Sequence, residues 1–162
     1  LWALTSGDSV KINEVYYAGS QGFTMEDQYI ELFNAGSSTA YLDGALIMRG
    51  LDTMATRVFR FPGWPGGHQR PINPGQYKVI AQDAVNFIAG DLWAAADPYS
   101  VDLSHADFEA YTAWEWPPRN NPSVPNLTDA LNNHLDLELD HYQGQVLLST
   151  GQNLQILPST SG

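Results

Sequence analysis

An all-β fold, a two-sheet antiparallel sandwich, is what this sequence predicts, and three observations predict it. Short segments in which apolar and polar residues alternate recur along the chain, the period-two signature of half-buried strands. Turn signals punctuate them, drawn from 14 Gly and 10 Pro in 162 residues. The composition, 43% hydrophobic and only 15% charged with 12% aromatic residues, supplies enough apolar surface for a core and argues against disorder. A chain of this length sits near the commonest domain size, so one domain over residues 1–162 is expected.

The elements follow in order. Val10, Ile12, Val15 and Tyr17 mark a first strand whose alternation slips at Asn13-Glu14, as a bulge would cause. Gln28 to Asn34 reads as a second strand, with Ile30 and Leu32 on one face and Tyr29, Glu31 and Phe33 on the other. Asp43-Gly44 is a turn, followed by the apolar run Ala45 to Met48. Arg57 to Phe61 alternates again, and Pro62 to Gly67 with Pro71 to Gly75 bracket a long loop. Gln76 to Ala81 is the next strand. Leu135, Leu137 and Leu139 alternate with Asp136, Glu138 and Asp140, Val146 to Ser149 returns after a turn, and Leu154 to Leu157 closes the domain. About seven strands result, the number of a sandwich. One short helix is predicted, opening at Ser104, which would cap the amides of Ala106 and Asp107, and running to Thr112. The predicted core includes Ile12, Ile30, Leu32, Leu46, Val79 and Leu147.

Three segments resemble the lamin tail domain, an immunoglobulin-like sandwich also found in bacterial exported proteins. Val10-Lys-Ile-Asn-Glu-Val15 is similar to the family's opening strand. Tyr29-Ile-Glu-Leu-Phe-Asn34 with Tyr41-Leu-Asp-Gly44 is similar to its core signature. Asn73-Pro-Gly-Gln-Tyr-Lys-Val79, with Gly144 to Leu148 and Gly151 to Ile156, is similar to its later strands. The match covers residues 9 to 85 and 143 to 157. Residues 86 to 142 are left as a long, loop-rich insertion that carries the short helix and is expected to leave the sandwich. The resemblance implies an immunoglobulin-like fold and a non-catalytic role at the surface of a bacterium, in the manner of uncharacterised surface lipoproteins.

Charge and composition narrow the chemistry. With 18 acidic against 7 basic residues the formal net charge is -11, and the Lys and Arg are scattered, so nucleic acid is excluded as a partner. With no cysteine there is no disulfide, thiolate metal site or thiol nucleophile. No run of about 18 apolar residues is present to span a membrane. The polar stretches Ser6-Gly-Asp-Ser9 and Pro158-Ser-Thr-Ser-Gly162 read as linker, so the chain is expected to be a fragment of a longer exported protein at the cell surface or outer membrane. Any lipid anchor would lie beyond it.

Candidate sites are few. Gly-x-Ser-x-Gly does not occur. Ser104-His105-Ala-Asp107 has the letters of a hydrolase relay too close together to form one, and no catalytic residue is expected. His134, Asp136, Glu138 and Asp140 would share one face of a strand, an oxygen-rich set that suits calcium. Same-face side chains about 7 Å apart cannot all reach one ion, so a solvated outer face is the preferred reading and no cofactor is expected. Trp64, Trp114 and Trp116 would serve as hot spots for a protein partner, another surface or outer-membrane protein, or as platforms for sugar rings, or else would pin long loops to the sandwich, and Trp93 is a further binding candidate. The insertion, with Trp93, Tyr99, Phe108, Tyr111, Trp114 and Trp116, is expected to carry recognition.

Overall fold

The computed structural model describes residues 9–17, 27–51, 54–93, 95–112, 119–133, 137, 139, 145–149 and 154–156. Among them the strands are β1 (Val10–Tyr16), β2 (Tyr29–Asn34), β3 (Ala40–Tyr41), β4 (Leu46–Leu51), β5 (Met54–Arg60), β6 (Pro71–Ile72), β7 (Tyr77–Ala81), β8 (Phe108–Glu109), β9 (Thr128–Asp129), β10 (Gln145–Ser149) and β11 (Leu154–Ile156). One sheet has the order β1-β2-β7-β8 and the other β11-β10-β4-β5-β9, while β3 and β6 form a short ribbon. All pairings are antiparallel except β7 with β8.

The register follows from the alternation. In β2, Ile30, Leu32 and Asn34 are buried while Tyr29, Glu31 and Phe33 are only half-buried, which fixes the inner face because a one-residue slip would exchange the two sets. The register of β1 against β2 shifts between Ile12 and Glu14, so the broken alternation at Asn13 is a β-bulge. Ile12, Ile30, Leu32 and Ile80 from the first sheet and Ile47, Phe59, Val146 and Leu148 from the second meet in one buried cluster. Two facing sheets that share a core make the sandwich.

Polar residues close its ends. The buried Asn34 side chain donates to the carbonyls of Ile72, 2.7 Å, and Ser38, 2.9 Å, and accepts from the Gly36 amide at 2.9 Å. It thereby ties the end of β2 to the β3–β6 ribbon. Gln28 plays a similar part, donating to the Tyr17 carbonyl at 2.8 Å and accepting from the Leu139 amide at 2.6 Å. Both side chains satisfy backbone groups that the sheets leave over, so their burial does not strand a polar atom.

Four expectations need correction or completion. Leu46 and Val79 are half-buried, and Ile47 and Ile80 take the inner positions. The segments Ala45–Met48 and Val79–Ala81 are apolar on both faces, so period-two reading could not set their phase. The side chain of Leu147 lies outside the described residues. The short helix from Ser104 is not formed, and no described residue is helical. Ser104 instead donates its amide and hydroxyl to Asp102 Oδ1, at 3.0 and 2.6 Å. Asp107 accepts the Val79 amide at 2.9 Å and pairs with Lys78 Nζ at 2.6 Å. Strand pairing of Phe108 with Ile80 then draws the chain out straight. Phe108 gains an edge-to-face contact with Phe61 at 4.9 Å, and this tertiary burial overrides the weak local capping signal.

The stretch 86–142 does not simply leave the sandwich. It returns β8 to the first sheet and β9 to the second, and Leu137 and Leu139 are buried in the main core.

Candidate functional site

Between β7 and β8, and again between β8 and β9, the chain folds back over the outer face of the first sheet. Ala81, Ala84, Phe87, Leu103 and Val124 form a second buried cluster there, packed against Tyr29, Val79 and Val101. The two-sided apolar character of Val79–Ala81 is explained by this cover, since the sheet is buried on both faces at β7.

Apolar contact alone would leave the geometry of such a cover loosely set, and buried polar and titratable groups tie it down. The Glu109 carboxylate is fully buried and accepts the amides of Ala84 at 2.7 Å and Asn121 at 3.0 Å. Asn121 in turn donates to the carbonyls of Ala84, 2.9 Å, and Ser104, 3.1 Å. One carboxylate and one amide thus join three separate turns. Burial raises the Glu109 carboxyl from 4.5 to about 7, outweighing the two amide bonds that lower it. Beside it, buried Arg119 donates through Nε to Asp91 Oδ2 at 2.6 Å and through Nη2 to Oδ1 at 3.3 Å. Its Nη1 lies 3.7 Å from Asp83, and its guanidinium sits 5.6 Å from the centre of the Phe87 ring. Burial lowers its pKa, although Arg stays charged at any ordinary pH.

These anchors carry an exposed apolar surface. Residues 86–101 form a loop closed by the Phe87 amide on the Val101 carbonyl, 3.2 Å, and the Asp97 amide on the Phe87 carbonyl, 3.2 Å. Asp91 and Asp97 accept the amides of Trp93, 2.7 Å, and Tyr99, 2.9 Å, two residues ahead. Such aspartate turns preset the backbone. Ser100 Oγ donates to the buried Asp27 at 2.6 Å and fastens the loop to the end of β2. Phe87 points in, 1% exposed, whereas Ile88 is 44%, Trp93 47%, Leu92 87% and Tyr99 88% exposed.

A second aromatic stands on the other sheet's side. Trp64 is 84% exposed at the start of the turn Trp64-Pro-Gly-Gly67, closed by the Gly67 amide on the Trp64 carbonyl at 2.7 Å. Gly66, at φ +82°, holds the position of this turn that only glycine adopts freely. The loop is close-packed beneath: a Cβ on Gly63 or Gly67 would come within 2.5 or 2.8 Å of Asp43 Oδ1. Asp43 accepts the amides of Gln69, 3.0 Å, and Arg70, 2.8 Å. An open cleft of about 570 Å³ lies here, lined by Gly44, Leu46, Arg60, Gly63, Trp64 and Pro65.

Of the residues singled out from sequence, Trp64 and Trp93 are exposed on separate anchored loops. Trp114, Trp116, His134, Asp136, Glu138 and Asp140 lie outside the described residues, so the aromatic pair and the acidic strand are not placed. Among the described residues no three acidic or histidine side chains come together as a metal site, and no helix is long and apolar enough to cross a membrane. Ser104 and Asp107 are engaged with Asp102 and Lys78, not with each other. The acidic residues of the first two strands serve the sheet's outer face, where Tyr29 donates to Glu14 at 3.0 Å and Asn13 to Glu31 at 2.6 Å. Sequence reading missed Ile88, Leu92 and Arg60, since single aliphatic or basic residues in loops and strand ends carry no periodic signal. It also missed the Asp91–Arg119 pair, which 28 residues separate.

No protein-family model matches the chain, and no curated protein matches it. Among solved structures it is similar to a DUF4876 family protein from Bacteroides thetaiotaomicron, with a TM-score of 0.69 and 21% identity. The likeness covers 86% of this chain and 42% of that one, so this chain spans less than half of its neighbour. At that identity the likeness establishes the shared β-sandwich fold.

Proposed function

We propose that this chain is a non-catalytic structural or protein-binding module of a bacterial cell-surface or outer-membrane-associated complex, and that it recognises another protein of that complex through the loop 88–99. One observation carries the reading: Ile88, Leu92, Trp93 and Tyr99 are presented to solvent on a backbone that Phe87, Arg119 and Ser100 hold in place. Interface hot spots favour large rings, and a loop ordered in advance loses little entropy on binding. Exposed apolar side chains of this size, clustered on one short loop, mark an interaction surface more often than a solvated one. The exported setting rests on the resemblance of the strand motifs to the lamin tail domain, and the fold neighbour of bacterial origin supports the bacterial part of the reading alone.

The test is a photoreactive amino acid at Leu92 in the full-length protein in cells. One discrete cross-linked protein is expected, lost when Trp93→Ala is added and absent when the probe is placed at the exposed Lys11 of β1. A product that survives Trp93→Ala, or that forms equally from Lys11, would overturn the assignment.

A further inference from the structure

We propose that the Trp64 cleft is a binding subsite for one neutral pyranose ring of a glycan. The floor and one wall come from the second sheet. Leu46 and Arg60 are cross-strand partners of β4 and β5, so both side chains stand on the same face of the sheet. Since Ile47 and Phe59 face the core, that face is the outer one. Leu46 therefore gives an apolar floor and Arg60, which is exposed, gives hydrogen-bond donors at its edge. Trp64 and Pro65 complete the lining.

Three features select a sugar over a protein. Trp64 is left 84% exposed although its backbone is fixed by the closed turn and by the contact of Gly63 and Gly67 with Asp43. The packed backbone beneath leaves the indole in solvent. Two of the six residues that line the cleft are glycine, Gly44 and Gly63, so fewer side chains stand beside the indole than the water-excluding ring that an interface hot spot needs. The exposed indole instead suits a flat ring whose C–H groups can stack on it, while Arg60 has a guanidinium with five N–H donors to meet ring hydroxyls. The volume, about 570 Å³, lies within the range of small-ligand sites. The net charge of -11 over the whole chain opposes the approach of a polyanion and favours a neutral sugar, while Arg60 supplies the charged hydrogen-bond donors within the cleft.

This inference is independent of the loop 88–99, and its test separates the two. Saturation-transfer NMR is run with cellohexaose, maltohexaose and mannohexaose, and with an oligogalacturonate as the acidic control. Transfer to ring C–H protons of at least one neutral hexaose is expected. Trp64→Ala should raise its Kd about tenfold or more, which is about 1.4 kcal/mol or more. Trp64→Phe should fall between, Arg60→Met should weaken it several-fold, and the melting temperature should not move, because both side chains are exposed. A Leu92→Ser variant should bind the sugar as the wild type does. Absence of transfer to every neutral hexaose, an unchanged Kd in Trp64→Ala, or stronger transfer to the oligogalacturonate would each overturn the proposal.

Discussion

Between the sheets, Ile30, Leu32, Ile80, Ile47 and Phe59 meet as apolar side chains of large volume, each 0 or 1% exposed. On the outer face of the same β2–β7 pair, one large ring, Phe87, gathers the smaller Ala81, Ala84, Leu103 and Val124 into the second cluster, bordered by Glu109, Asp83, Arg119 and Asn121. The first core is held chiefly by apolar burial, which is not directional and tolerates changes of pH. The second buries titratable and charged groups, which gain little net stability but fix geometry. A loop that must present Leu92, Trp93 and Tyr99 in one arrangement gains more from fixed geometry than from additional apolar burial.

Truncation should separate the regions by reach as well as by size. Phe59→Ala is expected to cost about 4 kcal/mol and to lower the melting temperature on the order of 10 °C, because a large ring leaves a cavity in the shared core. Arg119→Ala is expected to cost about 3 kcal/mol, because it leaves Asp83 buried without its cation. Its effect should be local: hydrogen exchange should quicken at Ala84, Phe87 and Leu103 and stay unchanged at Ile30 and Leu32. Equal acceleration in both regions would erase the distinction between them.

Acid and base should distinguish the regions more gently. The folded carboxyl of Glu109 has its pKa raised to about 7 from 4.5, so between those values the folded state binds a proton that the unfolded state has released. Its contribution is therefore fully present below about pH 4.5 and is lost as pH rises through about 7, by roughly 3 kcal/mol in all. Denaturant titrations at pH 5 and pH 8 should show this loss in the wild type and most of it abolished in Glu109→Ala. That variant should be less stable at pH 5, where two backbone amides lose their acceptor.

Much of the sandwich was legible in the sequence because its signals are local. The bulge at Asn13, the alternation of β2 and the Asp43-Gly44 turn each reveal themselves within a few residues. The phase of β4 and β7 was not legible, because Leu46 and Val79 face covers contributed by distant residues, the Trp64 loop and the second cluster. The two-residue strands β8 and β9 are too short to have a period, and the capping signal at Ser104 lost to pairing with β7. The candidate surfaces were half legible: Trp64, Trp93 and Tyr99 stand out as aromatics, whereas the roles of Leu92, Arg60 and the Glu109 and Arg119 anchors depend on contacts across tens of residues.

The most direct measurement takes one preparation of the full-length protein carrying Leu92→Ser and Tyr99→Ser, and reads its melting temperature and its cross-linked or co-purified partner together. Both side chains are nearly 90% exposed, at 87 and 88%, so stability should stay within about 0.5 kcal/mol of the wild type. An unchanged melting temperature and loss of the partner are expected. A variant that keeps its partner, or that loses stability as well, would show that these side chains serve the fold and not recognition.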